Sequence, residues 1–389
     1  MTIILNDNQS HSHLLPLTYT KPASELRIGI LSIREKWEKW IKGSYYWSTE
    51  DYLSQKYSPS NDPDALIINA SICPNKDLVS AVKNLKKGEL LMDGDLFIAQ
   101  MGNPSNGNFN EEFSKTEVKA NYHNIDRPWK IFSLNSEELE SDFDMITAGR
   151  KSAPLSKTNT IIGNRIFAEE GAKAECSIFN SSTGAIYLGK DSLVMEGSLI
   201  RGGLALCEHS QLKLGTKIYG ATTVGPHSKV GGEVNNSVIT GYSNKGHDGF
   251  LGNSVIGEWC NLGADTNNSN LKNNYDEVKL WSYPKGGFEK TGLQFCGLIM
   301  ADHSKCGINT MFNTGTVVGV SANIFGAGFP RNFIPSFSWG GSGGFTNYNF
   351  DKAMKTASLV FARRGLDLDQ IEVDILQSVF DLSSSFRQK

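Results

Sequence analysis

One stretch of the chain, residues 245–275 (KGHDGFLGNSVIGEWCNLGADTNNSNLKNNY), gathers His247, Asn261, Asn274 and Tyr275 into a short segment. A neutral imidazole accepts a proton near pH 7, and Asn and Tyr side chains can orient a carbonyl or a sugar hydroxyl. A hydrophobic core has no use for that concentration of His, Lys and Asn. The chemistry these types suit is proton abstraction from a polar substrate held by amide and hydroxyl groups.

The elements that must position them show in a repeat. Counting by six from Leu188 meets Val194, Ile200, Leu206, Leu212, Ile218, Val224 and Val230, an unbroken series of branched apolar residues. A six-residue period marks a parallel β-helix in which three hexads make one coil, and successive coils stack at about the ordinary interstrand spacing of 4.8 Å. The phase slips at EVNNSVITGYSNKGHDG and resumes at Phe250, Ile256 and Leu262. After an insertion near 267–290 it returns at Met300, Cys306, Phe312, Val318 and Ile324. Both slips flank the polar stretch, and a break in the pattern is where the chain leaves the coil.

Residues 1–150 read as a separate α/β domain. TIILND, DALIINA and ELLMDGDLFIAQ each read as a strand, and NKDLVSAVKNLKKG reads as a helix with an Asn cap and a Gly stop. Strand, helix, strand in sequence suggests a parallel sheet. The acidic run NSEELESDFD (135–144) reads as a solvated helix start or linker. Residues 155–345 form the left-handed β-helix domain, and 349–385 a C-terminal helical cap or arm with Ala353, Ala357, Val360 and Phe361 on one face.

Bulk properties narrow the function. The 389 residues carry 38 Lys plus Arg against 41 Asp plus Glu, a formal charge of −3, so neither a nucleic-acid nor an anionic-membrane partner is expected. The sequence shows no signal peptide or long apolar run, which leads to the expectation of a soluble cytoplasmic protein. The six cysteines are far apart and are expected to be free and mostly buried.

The segment HDGFLGNSVIGEWCNLGADTNNSNLKNNYDEVK resembles the acetyltransferase site of the bifunctional N-acetylglucosamine-1-phosphate uridyltransferase and glucosamine-1-phosphate acetyltransferase family, which reads approximately H-x-x-Y-L-G-x-x-x-I-G-x-x-x-N-I-G-A-G-T and then C-N-Y-D. The resemblance implies an acetyl-CoA-dependent N-acetyltransferase acting on an amino-sugar 1-phosphate. His247 would be the general base, Phe250 stands where the family has a substrate-contacting Tyr, Asn261 would contact the sugar, and Asn274 with Tyr275 would lie beside the acetyl group. Phe250 lacks the hydroxyl, and the loop between Thr266 and Asn274 is longer than the family's. The family's phosphate-binding Arg and Lys have no clean counterpart, and Lys213, Lys217 and Lys245 are the nearest basic residues. Acetyl-CoA would lie along the prism between subunits of a homotrimer, near Ile308 and the GAGFPR turn containing Gly326 and Arg331. An amine attacking an acetyl thioester must shed a proton, so a neutral His in reach suits acyl transfer.

LLPLTYTKPASELRIGILSIREKW (14–37) resembles the sugar nucleotidyltransferase segment R-L-x-P-L-T-x-x-x-P-K-x-L, which implies UTP or another nucleoside triphosphate as co-substrate. The family's Gly-rich phosphate loop is replaced by NDNQSHSH and its Lys by Ala23. Lys21 and Arg27 are the remaining nucleotide-binding candidates. Asn69 and Ser71 fall where the family has an Asp for Mg²⁺; a hard cation prefers carboxylate, leaving Asp7, Asp93 and Asp95 as substitutes. No metal ligands are assigned. Two other readings compete: a nucleotidyltransferase whose β-helix only assembles the trimer, and a scaffold binding zinc through His209, His227 and His247. Those three are spaced by one coil and then by slightly more than one, which could stack them on one edge.

Overall fold

The computed structural model describes residues 1–102 and 113–387. Its contacts divide into two compact units, one of Met1–Leu14, Thr18–Leu26 and Leu31–Arg127, the other of Leu15–Leu17, Arg27–Ile30 and Pro128–Lys389.

In the first unit a six-stranded sheet has Thr2–Asn6 parallel to both Ser44–Ser48 and Leu66–Asn69, followed by Leu96–Met101, Glu89–Asp93 and Ser114–Glu117. Helix Ile33–Trp40 starts in a capping box, with Glu35 N–H donating to Ser32 Oγ and Ser32 N–H to Glu35. Helix Lys76–Lys83 starts at Asn75, whose side chain accepts from the Leu78 amide at 2.9 Å. ELLMDGDLFIAQ is two strands where the sequence reading has one: Asp93-Gly94 makes a hairpin turn, with Gly94 at φ +56°, and the strands pair antiparallel.

The second unit is a parallel β-solenoid of three long sheets of six, nine and ten strands, closed by helices Phe350–Ala362 and Gln370–Leu382. All eight residues of the first hexad series are at most 2% exposed. Leu188, Leu206 and Val224 stack in one column and Val194, Leu212 and Val230 in another, so each coil is three hexads around.

The slips are now physical. Val224 pairs with Ile239 and Val230 with Lys245, so one coil is half a hexad short of the others. Phe250, expected in the axial series, is half-buried on the outer side, and Leu251 points inward at 1% exposure, paired with Val234. Ile256 then pairs with Met300, and the surplus chain between them forms a loop containing the hairpin Lys279–Ser282/Gly287–Lys290. Five cysteines are buried, Cys176 is exposed, and all are free.

The acidic run is a helix start, as read, solvated on the face of Glu137, Ser141 and Asp144 and buried on the other. It lies in helix Asn135–Thr147, where Asn135 and Asp142 are buried. Asn135 Oδ1 accepts from Gly29 N–H at 2.7 Å, Asp142 from Ile30 N–H at 2.8 Å, and Thr223 Oγ1 donates to the Gly29 carbonyl at 2.7 Å.

Because the axial column has no alternative partner for a lost side chain, Leu206→Ala should cost about 2–5 kcal/mol by denaturant unfolding, the range for buried Leu truncations. Leu214→Ala, at a site 68% exposed, should stay within about 0.5 kcal/mol of wild type.

Candidate active site

The ten-stranded sheet of the solenoid is bounded by two prism edges, and the sequence candidates distribute between them. Its outer face carries Gln211, Lys229, Asn244, Asn261 and Lys305 in one column, each pairing with the next. Asn244 Nδ2 donates to Asn261 Oδ1 at 3.0 Å. The parallel column runs Lys213, Gly231, Gly246, Gly263 and Gly307, where missing side chains leave backbone as the floor. A Cβ at Gly263 would come within 2.4 Å of Gly307.

His247 turns the chain off this sheet. The turn Gly246–Gly249 rests on Gly263–Thr266, with Asp265 N–H donating to the Asp248 carbonyl at 3.0 Å, and that turn rests on Ile308–Asn309, with Asn309 N–H donating to the Ala264 carbonyl at 2.8 Å. Gly249, at φ +115°, could not carry a Cβ, which would meet the Thr266 carbonyl at 2.2 Å. The His247 side chain is exposed and makes no hydrogen bond within the chain among the described residues. Ile308 is 70% exposed two coils along the same edge, and Gly326 follows Phe325, which abuts Gly307.

Lys245 is not available as a surface cation. It occupies an axial position at 3% exposure, and its ammonium donates to the carbonyls of Gly231 and His247, both at 2.9 Å. Burial pushes it down to about 8, against the pull of Asp248 and Asp265. The lysine is thus a strut beneath the His247 turn. Lys217 lies on a different sheet, between Leu199 and Glu233, and lines a cavity of ≈ 400 Å³ with Ile178 and Tyr219.

Asn274 and Tyr275 sit on the inserted loop. Asn274 bonds Asp276 through both its amide groups, and Tyr275 is 64% exposed with φ +59°. Asn274 lines a cavity of ≈ 420 Å³ with Lys272, Asn313 and Asn332. Lys272 and Asn332 also line an adjoining one of ≈ 660 Å³ with Lys279, Trp281, Phe333 and Arg331. Among the described residues no hydrogen bond, ion pair or ring contact joins Lys272, Asn274, Tyr275 or Arg331 to His247, Phe250 or Asn261, although Asn267 at the start of the insertion accepts from Phe250 N–H at 2.8 Å. The candidates thus fall into two groups, one at the His247 turn and one on the inserted loop. The cations and rings around Arg331, and the buried Trp281 Nε1 without a partner, suit the phosphates and adenine of a coenzyme A.

The other edge is a stack of rings. His209 lies on His227 (4.9 Å), His227 on Tyr242 (4.7 Å) and Tyr242 on Trp259 (4.3 Å), and Phe361 of the C-terminal helix covers Trp259 at 3.9 Å. His247 does not join the other two histidines. The coil after His227 is the short one, so Tyr242 takes the next corner and the three-His edge is not formed. No cluster of three or more metal-ligating side chains occurs among the described residues.

In the first unit, the ends of Thr2–Asn6 and Leu66–Asn69 lie side by side, where an open sheet takes a ligand. Asn69 Oδ1 accepts from both Ser71 N–H (3.0 Å) and Ser71 Oγ (2.8 Å), while Ser10 Oγ reaches Ser71 Oγ at 2.9 Å. Asp7 is 2% exposed, accepting from Ala23 N–H at 2.8 Å and from Thr49 Oγ1. Burial pushes its carboxyl up to about 7. Donor atoms engaged this way do not fit Mg²⁺. Lys21 is buried, and Arg27, within the second unit, donates to the Ile30 carbonyl.

Comparison with known proteins agrees with the two-part reading. Residues 3–151 match a family model described as sugar nucleotidyl transferase. The chain is similar to a bifunctional sugar-1-phosphate nucleotidylyltransferase/acetyltransferase of Sulfurisphaera tokodaii, 26% identical over 283 residues that cover 71% of this chain and 62% of that protein. It is likewise similar to the bifunctional protein GlmU of Methanococcus vannielii, 28% identical over 211 residues, 54% of this chain and 44% of that protein. The chain spans less than two thirds of the length of either relative. Among solved structures, the acetyltransferase domain of PglB from Neisseria gonorrhoeae FA1090 aligns at 10% identity over 84% of this chain and 96% of that one, with a TM-score of 0.14, too slight to carry detail. These relatives are transferases, and the resemblance drawn from HDGFLG and LLPLT is to the same bifunctional class.

A carboxyl with folded pKa raised from 3.8 to about 7 contributes stability that is fully present below about pH 4 and lost as pH rises through 7. Wild type should lose up to about 4 kcal/mol between pH 4 and 8 from this group. Asp7→Asn, whose amide can accept from Ala23 N–H and donate to the Thr49 hydroxyl, should flatten that slope and be the more stable protein at pH 8 in thermal unfolding.

Proposed function

We propose that the chain is an acetyl-CoA-dependent N-acetyltransferase acting on an amino-sugar 1-phosphate, joined to a sugar nucleotidyltransferase-like domain. The observation that carries this reading is the edge that aligns the His247 turn with Ile308 and Gly326, facing outward and incomplete without groups from the inserted loop. His247 would take the proton from the attacking amine, worth roughly 10²- to 10⁴-fold in such reactions. Asn261, tied to Asn244, would hold the sugar; Asn274 and Tyr275 would set the acetyl group; Arg331 and the cavity around Trp281 would hold the coenzyme, which supplies the activated acyl group. Phe250 offers the sugar an apolar wall.

Taken as half-sites, the His247 turn and the inserted loop of one chain fit a closed ring of copies, in which the loop of one subunit completes the edge of the next. Exposed Ile162, Ile178 and Leu199 on the six-stranded sheet add apolar surface that such an assembly would cover. A homotrimer of the 42.7 kDa chain is expected in light scattering, and a monomer at micromolar concentration would refute it. The residues at the first unit's strand ends bond one another, which leaves few free groups there for a nucleoside triphosphate.

His247→Ala should lower kcat for acetyl transfer by about 10² or more, with acetyl-CoA affinity and unfolding midpoint little changed, because the ring is exposed and unbonded. Full activity in that variant would sink the assignment of the base.

A further inference from the structure

The sequence gives no clean phosphate-binding pair for the sugar substrate, yet four cations gather beside the Asn244–Asn261 column. Lys229 is the rung next to Asn244, so it stands about 10 Å, two coil spacings, from Asn261. Lys213 belongs to the coil on the other side of Lys229. The C-terminal helix supplies the rest. Phe361 is seated on Trp259 with its ring 3.9 Å away, and the chain continues directly into Arg363 and Arg364, where the Arg364 amide bonds the Phe361 carbonyl.

We propose that Lys213, Lys229, Arg363 and Arg364 form a binding site for a phosphate monoester on the outer face of the ten-stranded sheet. None of the four makes an ion pair or a side-chain hydrogen bond within the chain among the described residues, and Lys213, Lys229 and Arg364 are half-buried. They are near enough to oppose one another: Lys229 is held below its usual range by burial, then by Arg364, Lys213 and Arg363, and Arg364 by burial and then Arg363. Glu208 and Glu258 face Tyr242, and Asp191 lies 3.9 Å from His209, so these are the carboxylates along the ring stack. The last carbonyls of helix Phe350–Ala362 favour cations at its end, which accounts for part of the arginine charge but not for the two lysines on the solenoid.

Uncompensated cations on a half-buried surface cost stability unless an anion arrives, and a phosphate dianion, which accepts several charge-assisted hydrogen bonds, fits guanidinium and ammonium donors together. Lys229 shares its column with Asn244 and Asn261, so a phosphate held here would place the rest of a sugar phosphate against that amide pair. The anion site stands without the acetyltransferase reading; its assignment to the sugar rests on it.

Calorimetric titration of the full chain with glucosamine 1-phosphate, inorganic phosphate, coenzyme A and dephospho-coenzyme A tests the site in wild type, Lys229→Gln, Arg364→Gln and Arg364→Lys. Either Gln variant should weaken glucosamine 1-phosphate and inorganic phosphate by about tenfold or more, the Lys variant should recover part of the loss, and unphosphorylated glucosamine should bind all four proteins alike. A loss confined to coenzyme A and absent for dephospho-coenzyme A would assign the same site to the coenzyme's phosphate monoester. Unchanged affinities in both Gln variants, or no phosphate binding by wild type, overturn the proposal. Should the site behave as expected while wild type acetylates no amino-sugar phosphate, the acetyltransferase reading fails and the anion site remains.

Discussion

Every feature of the second unit depends on one constraint: each coil must hydrogen-bond the coils above and below it while placing one side chain per strand on the axis. The column through Leu206 satisfies it with apolar residues alone. Departures are tolerated only at the turns, where the ladder is already interrupted. The chain trims half a hexad from one coil and grows a long loop from another; the nine- and ten-stranded sheets continue through both, while the six-stranded one ends at Phe250–Gly252. Chemistry-bearing residues sit at those departures because stacking no longer dictates their identity.

Lys245 shows how far the constraint reaches. The shortened coil brings a lysine into the axial column after Val230, where an unpaired ammonium would be costly. Its bonds to the carbonyls of Gly231 and His247 satisfy the charge and hold the turn that carries the imidazole. Across the same sheet, the stacked rings from His209 to Trp259 give the C-terminal helix a place to dock.

The first unit follows a different logic. Where related nucleotide sites rely on backbone amides of a Gly-rich loop, this chain fills the strand ends with Ser10, Asn69, Ser71 and a buried Asp7 that bond one another or their neighbours. Groups satisfied internally have little left to offer a triphosphate. Residues 3–151 match a sugar nucleotidyl transferase family model, while Ser10, Asn69, Ser71 and Asp7 are engaged within the chain.

Periodicity was legible because each axial position is a local choice: a six-residue spacing of Leu, Ile and Val is written directly in the chain, as are the Asn75 cap and the change of texture near 150. The break in the period at His247 was visible in the same way, and the exposed turn that carries this residue lies there. What the sequence could not settle was register across the breaks. The shortened coil swapped Tyr242 for His247 on the ring edge, turned Leu251 rather than Phe250 inward and buried Lys245, and each outcome depends on which coil stacks on which. The placement of Arg363 and Arg364 was hidden for the same reason, because they lie far from the solenoid strands along the chain and are carried to it only when Phe361 closes on Trp259. Local pattern fixes which face a residue shows; only the stacked coils and the returning helix decide what it faces.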